Sequence, residues 1–168
     1  TDNTSILHLA PERGLYDKLK ARTKPGNYVC ADFAPKRYAF AKDIIAIDLT
    51  NLDDQPSNRY DVIVHSHVME HIPCNIAYTL FHLHRMLKPG GRQVCVIPFA
   101  AGKYDECFQD LPEQERIRRF GQHDHVRRFG IDDVHRHLGI IVELPNEFDA
   151  LARFGEERLR NANIPIEA

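Results

Sequence analysis

Carboxylates and histidines recur at points where short apolar runs of the sequence end. Four such points stand out: Glu12, Asp32, Asp48 and the segment 65–71, which reads His-Ser-His-Val-Met-Glu-His. If the runs are parallel strands of an α/β sheet, their carboxyl ends meet at one edge, where such sheets bind ligands. A carboxylate there suits ribose hydroxyls, so Asp32 is predicted to hold a ribose, with a turn cap before Pro35 as the structural alternative. Asp48 is expected either to border an adenine or to cap a turn.

The strand, helix and strand between residues 59 and 98 form the best-defined unit of the sequence. Residues 60–64 are an apolar, β-branched run typical of a buried parallel strand. Pro73 suits the first turn of the next helix. The apolar face of that helix is expected to contain Ile76, Leu80, Leu83 and Leu87. The Lys-Pro-Gly-Gly run at 88–91 ends the helix, and residues 93–97 form the next strand, which predicts a parallel βαβ unit.

The rest of the chain continues this alternation of strands and helices. Further strands are predicted at residues 5–10, 28–33, 44–47 and 140–144. Further helices are predicted at residues 11–22, 35–42, 112–120, 131–138 and 148–160. This order indicates a single α/β domain, 1–168, with a doubly wound, mostly parallel sheet. A seventh strand is doubtful, because its one candidate, residues 164–166, contains Pro165.

Length and composition limit the class of protein. The chain has 168 residues, of which 43% are hydrophobic and 27% charged, and its formal net charge is -2. These values are typical of a soluble globular domain and give no sign of a nucleic-acid or membrane-surface partner. No apolar run reaches a transmembrane length, and the N-terminus lacks a signal-peptide pattern. The four cysteines form no C-x-x-C pair, so a reduced, cytoplasmic protein is expected.

Three sequence motifs resemble those of a known family: Tyr-Asp-Val-Ile-Val at 60–64, His-Val-Met-Glu-His-Ile-Pro at 67–73, and His-Arg-Met-Leu-Lys-Pro-Gly-Gly-Arg at 84–92. In this order they resemble the central motifs of class I S-adenosylmethionine-dependent methyltransferases. Ile-Leu-His-Leu-Ala-Pro-Glu at 6–12 and Phe-Gly-Gln-His-Asp-His-Val-Arg-Arg-Phe-Gly at 120–130 resemble a bacterial subgroup whose first motif is His-x-Ala-Pro-Glu. The resemblance implies a Rossmann-like methyltransferase fold with S-adenosylmethionine as the cofactor.

The resemblance also implies which residues hold the cofactor. Four residues would lie against the methionine part of the cofactor, in place of the usual glycine-rich loop: Ala10, Pro11, Glu12 and Gly14. Glu12, at the start of a helix, is also placed to cap free N–H groups. Asp32 would take the ribose, and the adenine would be flanked by Asp48 and Leu49. Near the sulfonium would lie His65, Ser66, His67 and Glu70. The chain begins at its first strand, so we expect no preceding helix over the cofactor.

Residues 99–130 are polar and long for a connection, so we interpret them as an insertion that covers the active site. Methyl transfer needs an aligned nucleophile, exclusion of water and often a base, and histidine is the natural base near neutral pH. His125 is therefore the candidate catalytic base, against the alternative of a structural histidine bonded to loop backbone. The candidate acceptor-binding residues are His71, His123 and Arg127, with a surface salt bridge as the alternative for Arg127. No metal site is expected.

Other functions fit parts of the sequence less well. The run from His67 to His71 matches the H-x-x-E-H zinc-hydrolase motif, but it follows a strand and is cut by Pro73, whereas zinc binding needs both histidines on one helix face. A nicotinamide dehydrogenase would need a G-x-G-x-x-G loop, which the sequence lacks. A non-catalytic S-adenosylmethionine-binding or regulatory domain stays open. The expected acceptor is a small molecule or a sugar, methylated at oxygen, and no nucleic acid is expected to bind.

Overall fold

A five-stranded parallel sheet organises the chain in the computed structural model, which describes residues 3–144 and 150–161. Its strands are β1 (Ile6–Leu9), β2 (Tyr28–Asp32), β3 (Ile45–Ala46), β4 (Tyr60–Ser66) and β5 (Leu87–Val96). They lie in the spatial order β3-β2-β1-β4-β5, and every neighbouring pair is parallel. The predicted doubly wound α/β fold is thereby confirmed. The direction of winding reverses between β1 and β4, where such a sheet opens a crevice at the carboxyl ends of its strands.

Helices and short turns connect and follow these strands. The helices are α1 (Arg13–Arg22), α2 (Ile76–Met86), α3 (Glu113–Phe120), α4 (Val134–His137), α5 (Ala150–Phe154) and α6 (Glu156–Asn161). Two 3-10 turns span Pro35–Arg37 and Met69–His71. All four residues of β1 are buried, as expected for a central parallel strand covered on both faces. No helix among the described residues has both the length and the apolar character needed to cross a bilayer.

The start of α2 differs slightly from the sequence prediction. The side chain of Asn75 accepts a hydrogen bond from Ala77 N–H at 2.9 Å, so Asn75 caps the helix and Pro73 precedes it. Ile76, Leu80 and Leu83 are buried on its apolar face as predicted, and Met86 is buried as well. Leu87, predicted on the same face, is instead the first residue of β5 and is buried there.

A second, smaller sheet lies within residues 99–130, which were predicted to be irregular apart from one helix. Its strands are β6 (Phe99–Ala100), β7 (Asp105–Glu106) and β8 (Arg127–Gly130), in the order β6-β8-β7. Gly130 is required there, because a Cβ at this position would lie 2.2 Å from Gly102 O. Such short strands leave no hydrophobic periodicity in the sequence, which is why the sheet could not be predicted.

The predicted sixth strand at 140–144 is wrong. The backbone N–H groups of Ile141 and Val142 both donate to Leu138 O, so this run forms a turn after α4. A short apolar run has no periodicity that separates a strand from a turn, and local hydrogen bonds satisfy this one. In the described part of the chain β5 is therefore an edge strand, and Val94 on it is 54% exposed.

The predicted helices near the C-terminus are also shorter than expected. The helix predicted at 131–138 is reduced to α4. Gly155 has φ 76°, a left-handed conformation that interrupts the helix predicted at 148–160 and separates α5 from α6. The candidate seventh strand at 164–166 lies outside the described residues.

Candidate active site

A cleft of about 630 Å³ opens at the carboxyl ends of β1, β2, β3 and β4. Its position follows from the strand order, because the connections after β1 and β4 leave the sheet in opposite directions. Its volume lies in the range of about 300–1,000 Å³ typical of small-molecule sites. Six residues that the sequence predicted for the site line this cleft: Ala10, Asp32, Asp48, Leu49, His67 and His71.

Two residues beside the cleft adopt a backbone conformation that is rare outside glycine. Ala10, directly after β1, has φ 46°, and His67, directly after β4, has φ 51°. Since β1 and β4 are neighbours, both residues lie where the direction of winding reverses. Such residues cost about 1–3 kcal/mol each and cluster at functional sites. A hydrogen bond of 2.9 Å from Ala10 N–H to Ala31 O helps to hold the first of them.

The carboxylates after β2 and β3 line the cleft and also support the local backbone. Asp32 accepts hydrogen bonds from Ala34 N–H at 2.7 Å and from the Tyr38 hydroxyl at 2.9 Å. Burial, together with the bond to Asp32, raises the pKa of Tyr38, so its hydroxyl remains a donor. Asp48 accepts from both the backbone N–H and the hydroxyl of Thr50. Both aspartates therefore cap the turns that follow their strands, as the structural alternative predicted. The contact of Asp32 with a ribose and of Asp48 with an adenine stays a prediction.

Glu12 is held by a buried histidine that the sequence analysis did not select. His8, inside β1, is fully buried, and its Nε2 lies 3.2 Å from Glu12 Oε2 while its Nδ1 lies 2.8 Å from the Tyr28 hydroxyl. Burial lowers the pKa of His8, and the Glu12 carboxylate opposes this. Burial acts to raise the pKa of Glu12, but hydrogen bonds from its own backbone N–H, Ser66 and His8 lower it overall. Glu12 makes no side-chain capping bond to α1, so its predicted capping role is wrong.

The residues at the end of β4 divide between the cleft and the interior. His67 lines the cleft, and its Nδ1 lies 3.2 Å from Glu70 Oε1, whereas Glu70 is only 1% exposed. His65 is buried, and a hydrogen bond of 2.8 Å joins its Nε2 to the Gln93 amide nitrogen. Burial lowers the pKa of His65 to about 4. His65 is therefore neutral at pH 7 and lies behind the cleft wall.

The loop between α3 and β8 places His125 against the 3-10 turn at Met69–His71. The ring centroids of His125 and His71 are 4.7 Å apart, with the rings at 84° to each other. His125 is buried and its Nδ1 lies 3.0 Å from Phe120 O, so the backbone-bonded alternative for this residue is present. His71 Nδ1 lies 3.4 Å from Asp124 Oδ2, and both of these residues line the cleft. The catalytic role of His125, which does not itself line the cleft, stays a prediction.

Arg127 is fully buried and ties this loop to the turn after β4. Its guanidinium donates hydrogen bonds to Met69 O at 2.5 Å and to Cys74 O, and its Nε lies 3.4 Å from Glu106 Oε2. With 0% of its side chain exposed, it has no surface that faces the cleft, so this geometry gives no support to the predicted acceptor contact. The surface salt bridge proposed as its alternative is replaced by a buried one. These contacts join the first residue of β8 to the turn after β4.

Several predicted residues do not line the cleft. On the cofactor side these are Pro11, Glu12, Gly14, His65, Ser66 and Glu70. On the acceptor side they are His123, which is exposed, and His125 and Arg127, which are both buried. The residues that line the cleft and were not selected from the sequence include Phe33, Arg37, Tyr38 and Thr50. These four lie at a predicted strand end or follow one within a few residues, which is the signal that would have found them.

The comparison with known proteins identifies the family. The sequence profile of the methyltransferase domain family matches residues 13–138. The chain belongs to this family. It is therefore a methyltransferase whose cofactor is S-adenosylmethionine, as the resemblance of its central motifs implied. The comparison with curated proteins gave no significant match.

Solved methyltransferase structures share this fold at low sequence identity. An S-adenosylmethionine-dependent methyltransferase from Mesorhizobium loti aligns with TM-score 0.60 and 15% identity, covering 96% of this chain and 86% of its own. A structure of the complex of the Haloferax volcanii Trm112 methyltransferase activator also aligns, with TM-score 0.55 and 16% identity, covering 93% of this chain and 73% of the matched chain. A Burkholderia thailandensis 1,6-didemethyltoxoflavin-N1-methyltransferase, solved with 1,6-didemethyltoxoflavin and S-adenosylhomocysteine, aligns with TM-score 0.53 and 13% identity over 83% and 60%. At these identities the similarity shows the fold and not the acceptor.

The cleft of this methyltransferase fits its cofactor. Asp32, at the end of β2, presents a carboxylate of the kind that binds ribose hydroxyls. Leu49 adds an apolar surface beside it, and the small side chain of Ala10 leaves room at the end of β1. Charge, apolar contact and free space thus occur together at the edge of the sheet where the fold binds ligands.

Proposed function

We propose that this methyltransferase transfers a methyl group to a hydroxyl oxygen of a small-molecule or sugar acceptor. The observation that carries the proposal is the imidazole of His71 on the cleft wall, paired with Asp124. A hydroxyl group must lose its proton to become a good nucleophile, and a positioned imidazole assists that loss. The volume of the cleft lies in the range of small-molecule sites, which supports a small acceptor.

The cofactor is proposed to lie along the ends of the first three strands. Asp32 would hold the ribose hydroxyls, and the adenine would be flanked by Asp48 and Leu49. The methionine part would lie against the segment 10–14, with Glu12 kept ionised by its hydrogen bonds so that it can meet the ammonium group. His67, which lines the cleft, would contact the region of the sulfonium. The residues behind it that would support this region are His65, Ser66 and Glu70.

Activation of the acceptor is proposed to take place at the His71–His125 pair. When bound, S-adenosylmethionine supplies a methyl group on positively charged sulfur, which needs no further activation. The protein must then align the acceptor, exclude water and remove a proton. Asp124 is placed to orient the His71 ring, and the carbonyl of Phe120 orients the ring of His125. A hydrogen-bonded partner that fixes the orientation of an imidazole is the usual arrangement around a catalytic histidine.

Residues 99–130 are proposed to cover the acceptor side of the cleft. Asp124 is the residue of this segment that lines the cleft, and the backbone N–H of Val126 donates to Glu70 O at 2.9 Å. The sequence phrases at 6–12 and 120–130 support membership of the bacterial subgroup with the His-x-Ala-Pro-Glu motif. The free cysteines suit a reducing bacterial cytoplasm, which we propose as the location of the enzyme.

A screen of acceptors tests the proposed chemistry. The purified enzyme is incubated with S-adenosylmethionine and separate panels of hydroxylated small molecules, sugars, amines and thiols. Release of S-adenosylhomocysteine is followed, and mass spectrometry with nuclear magnetic resonance locates the new methyl group. We expect a methyl ether from a hydroxylated acceptor. Methylation confined to nitrogen, sulfur or carbon would overturn the proposed acceptor class and leave the family assignment intact.

A further inference from the structure

Three metal-ligating side chains converge beside the cleft from two separate parts of the chain. Glu70 and His71 belong to the 3-10 turn after β4, and His125 comes from the loop before β8. One ligand atom from each of these residues lies within 4.8 Å of the others. Two histidines and one carboxylate form a ligand set used for Zn²⁺ and for other first-row divalent metals. The sequence motif His67 to His71 suggested a different trio, which the fold does not bring together on a helix.

The carboxylate of Glu70 lacks a partner for one of its oxygens. Its Oε1 is bonded to His67, whereas Oε2 is buried and has no hydrogen-bond partner among the described residues. Glu70 is 1% exposed, so water does not compensate readily for the missing bond. A buried carboxylate oxygen without a donor costs free energy, and buried charges in proteins are normally paired or bound to a metal. The unpaired oxygen therefore indicates a cationic partner.

Both histidines are already oriented as metal ligands are. His125 Nδ1 lies 3.0 Å from Phe120 O, and His71 Nδ1 lies 3.4 Å from Asp124 Oδ2. In His125 the Phe120 carbonyl can only accept, so the proton lies on Nδ1 and Nε2 is available for coordination. In His71 the nearby Asp124 carboxylate favours the same arrangement. A backbone carbonyl or a carboxylate on the second ring nitrogen is the typical support of a metal-bound histidine.

We propose that Glu70, His71 and His125 bind one divalent transition-metal ion of the Zn²⁺ type, with a coordination position open to the cleft. The open position follows because His71 and Asp124 line the cleft while Glu70 and His125 close the site from behind. Donor atoms around tetrahedral Zn²⁺ lie about 3.3 Å apart, given bonds of about 2.0–2.2 Å. Binding would therefore draw the three side chains together by at most about 1.5 Å.

The metal ion deepens the proposed function and rests on it, because it specifies how the acceptor is activated. At the open position the ion would bind the acceptor's hydroxyl oxygen and lower the pKa of that hydroxyl, whose proton then leaves to water. With the ion bound, the two imidazoles would act as its ligands, and the ion would replace His71 as the group that promotes loss of the hydroxyl proton. An acceptor with a second oxygen next to the hydroxyl, such as a sugar diol, would be bound best, because it can occupy two positions on the ion.

Metal binding is tested directly, without any need for turnover. The full chain is dialysed against a chelator, and Zn²⁺ is titrated in by calorimetry, with Co²⁺ absorption as a spectroscopic probe of the ligand set. We expect one ion per chain. The ligand variants Glu70→Gln and His125→Gln should each lose more affinity than the roughly 10–100-fold typical of changes to supporting residues. Asp124→Asn, at an exposed supporting position, should lose about 10–100-fold.

A control variant and a parallel measurement with chelator allow the metal proposal to fail without the proposed function failing. His123→Ala removes an exposed histidine of the same loop and should leave Zn²⁺ affinity unchanged, and circular dichroism confirms that each variant folds. Absence of saturable binding to the wild-type chain, or binding that survives both ligand variants, would overturn the metal site. S-adenosylmethionine affinity and S-adenosylhomocysteine release are measured in parallel with chelator present. Turnover that is undiminished by the chelator would also overturn it while leaving the methyltransferase function in place.

Discussion

Replacement of Asp32 by asparagine or by alanine separates cofactor binding from support of the local backbone. The Asp32 carboxylate lines the cleft, and its two oxygens accept hydrogen bonds from Ala34 N–H and from the Tyr38 hydroxyl. Asparagine keeps an oxygen for Ala34 N–H and removes the charge, whereas alanine removes both. We therefore expect both variants to bind S-adenosylmethionine more weakly and only Asp32→Ala to lose marked stability.

The size of each effect follows from the bonds that are lost. Hydrogen bonds to a charged group contribute about 1.5–3 kcal/mol, and 1.4 kcal/mol is a factor of ten in affinity, so Kd should rise by about 10- to 150-fold in both variants. Loss of the two protein bonds should lower the unfolding free energy of Asp32→Ala by roughly 1–3 kcal/mol. For a chain of this length, each kcal/mol lowers Tm by about 2–4 °C.

Calorimetric titration with S-adenosylmethionine and thermal unfolding by circular dichroism measure the two effects of the Asp32 variants independently. Tyr38→Phe is the matched control, because it removes one bond to Asp32 and keeps the negative charge. Its Kd should therefore change much less than that of Asp32→Asn. A wild-type Kd in folded Asp32→Asn would refute the ribose contact and leave Asp32 only its role in the turn.

Three further variants test the site and its support. His125→Ala should keep S-adenosylmethionine affinity and lose about 10²–10⁴-fold in turnover, measured as S-adenosylhomocysteine release with a true acceptor; near-normal turnover would remove His125 from the mechanism. Arg127→Met should lower the unfolding free energy by about 3–5 kcal/mol in denaturant titrations, because it leaves buried acceptors unpaired. The control Arg118→Met, at an exposed position, should change the unfolding free energy by no more than about 0.5 kcal/mol. Equal losses would contradict the structural role of Arg127. The pKa of His65 is lowered to about 4 by burial, so from pH 6.5 down to pH 4 the unfolded chain binds a proton that the folded chain does not. Stability should fall over this window by up to roughly 3 kcal/mol, and His65→Gln should flatten the slope, although the buried His8 retains part of it.

The motif from His67 to His71 illustrates how one spacing in a sequence supports different sites. As a helical pattern it would hold zinc through its two histidines. In the structure it occupies a strand end and a 3-10 turn, so His67 faces the cleft and bonds to Glu70. The histidine that joins Glu70 and His71 comes instead from residue 125, more than fifty positions away in the chain. Spacing alone could not reveal that partner.

The sequence by itself determined the parallel sheet and the location of the cleft. Apolar, β-branched runs predicted the five strands, and the rule that ligands bind at the carboxyl ends of such strands selected Asp32, Asp48, His67 and His71, all of which line the cleft. These predictions succeed because each depends on a local pattern and on one general property of the fold.

Only the tertiary structure decided how the remaining polar residues are used. The bond from Arg127 to Met69 O joins residues 58 positions apart, and the contact between His125 and His71 likewise links the late loop to the turn after β4. The pairing of His8 with Glu12 depends on the turn between β1 and α1, and the apolar neighbours of His8 in the sequence give no sign of it. None of these contacts leaves a periodic signal, because a polar side chain becomes buried only where a distant segment supplies its hydrogen-bond partner.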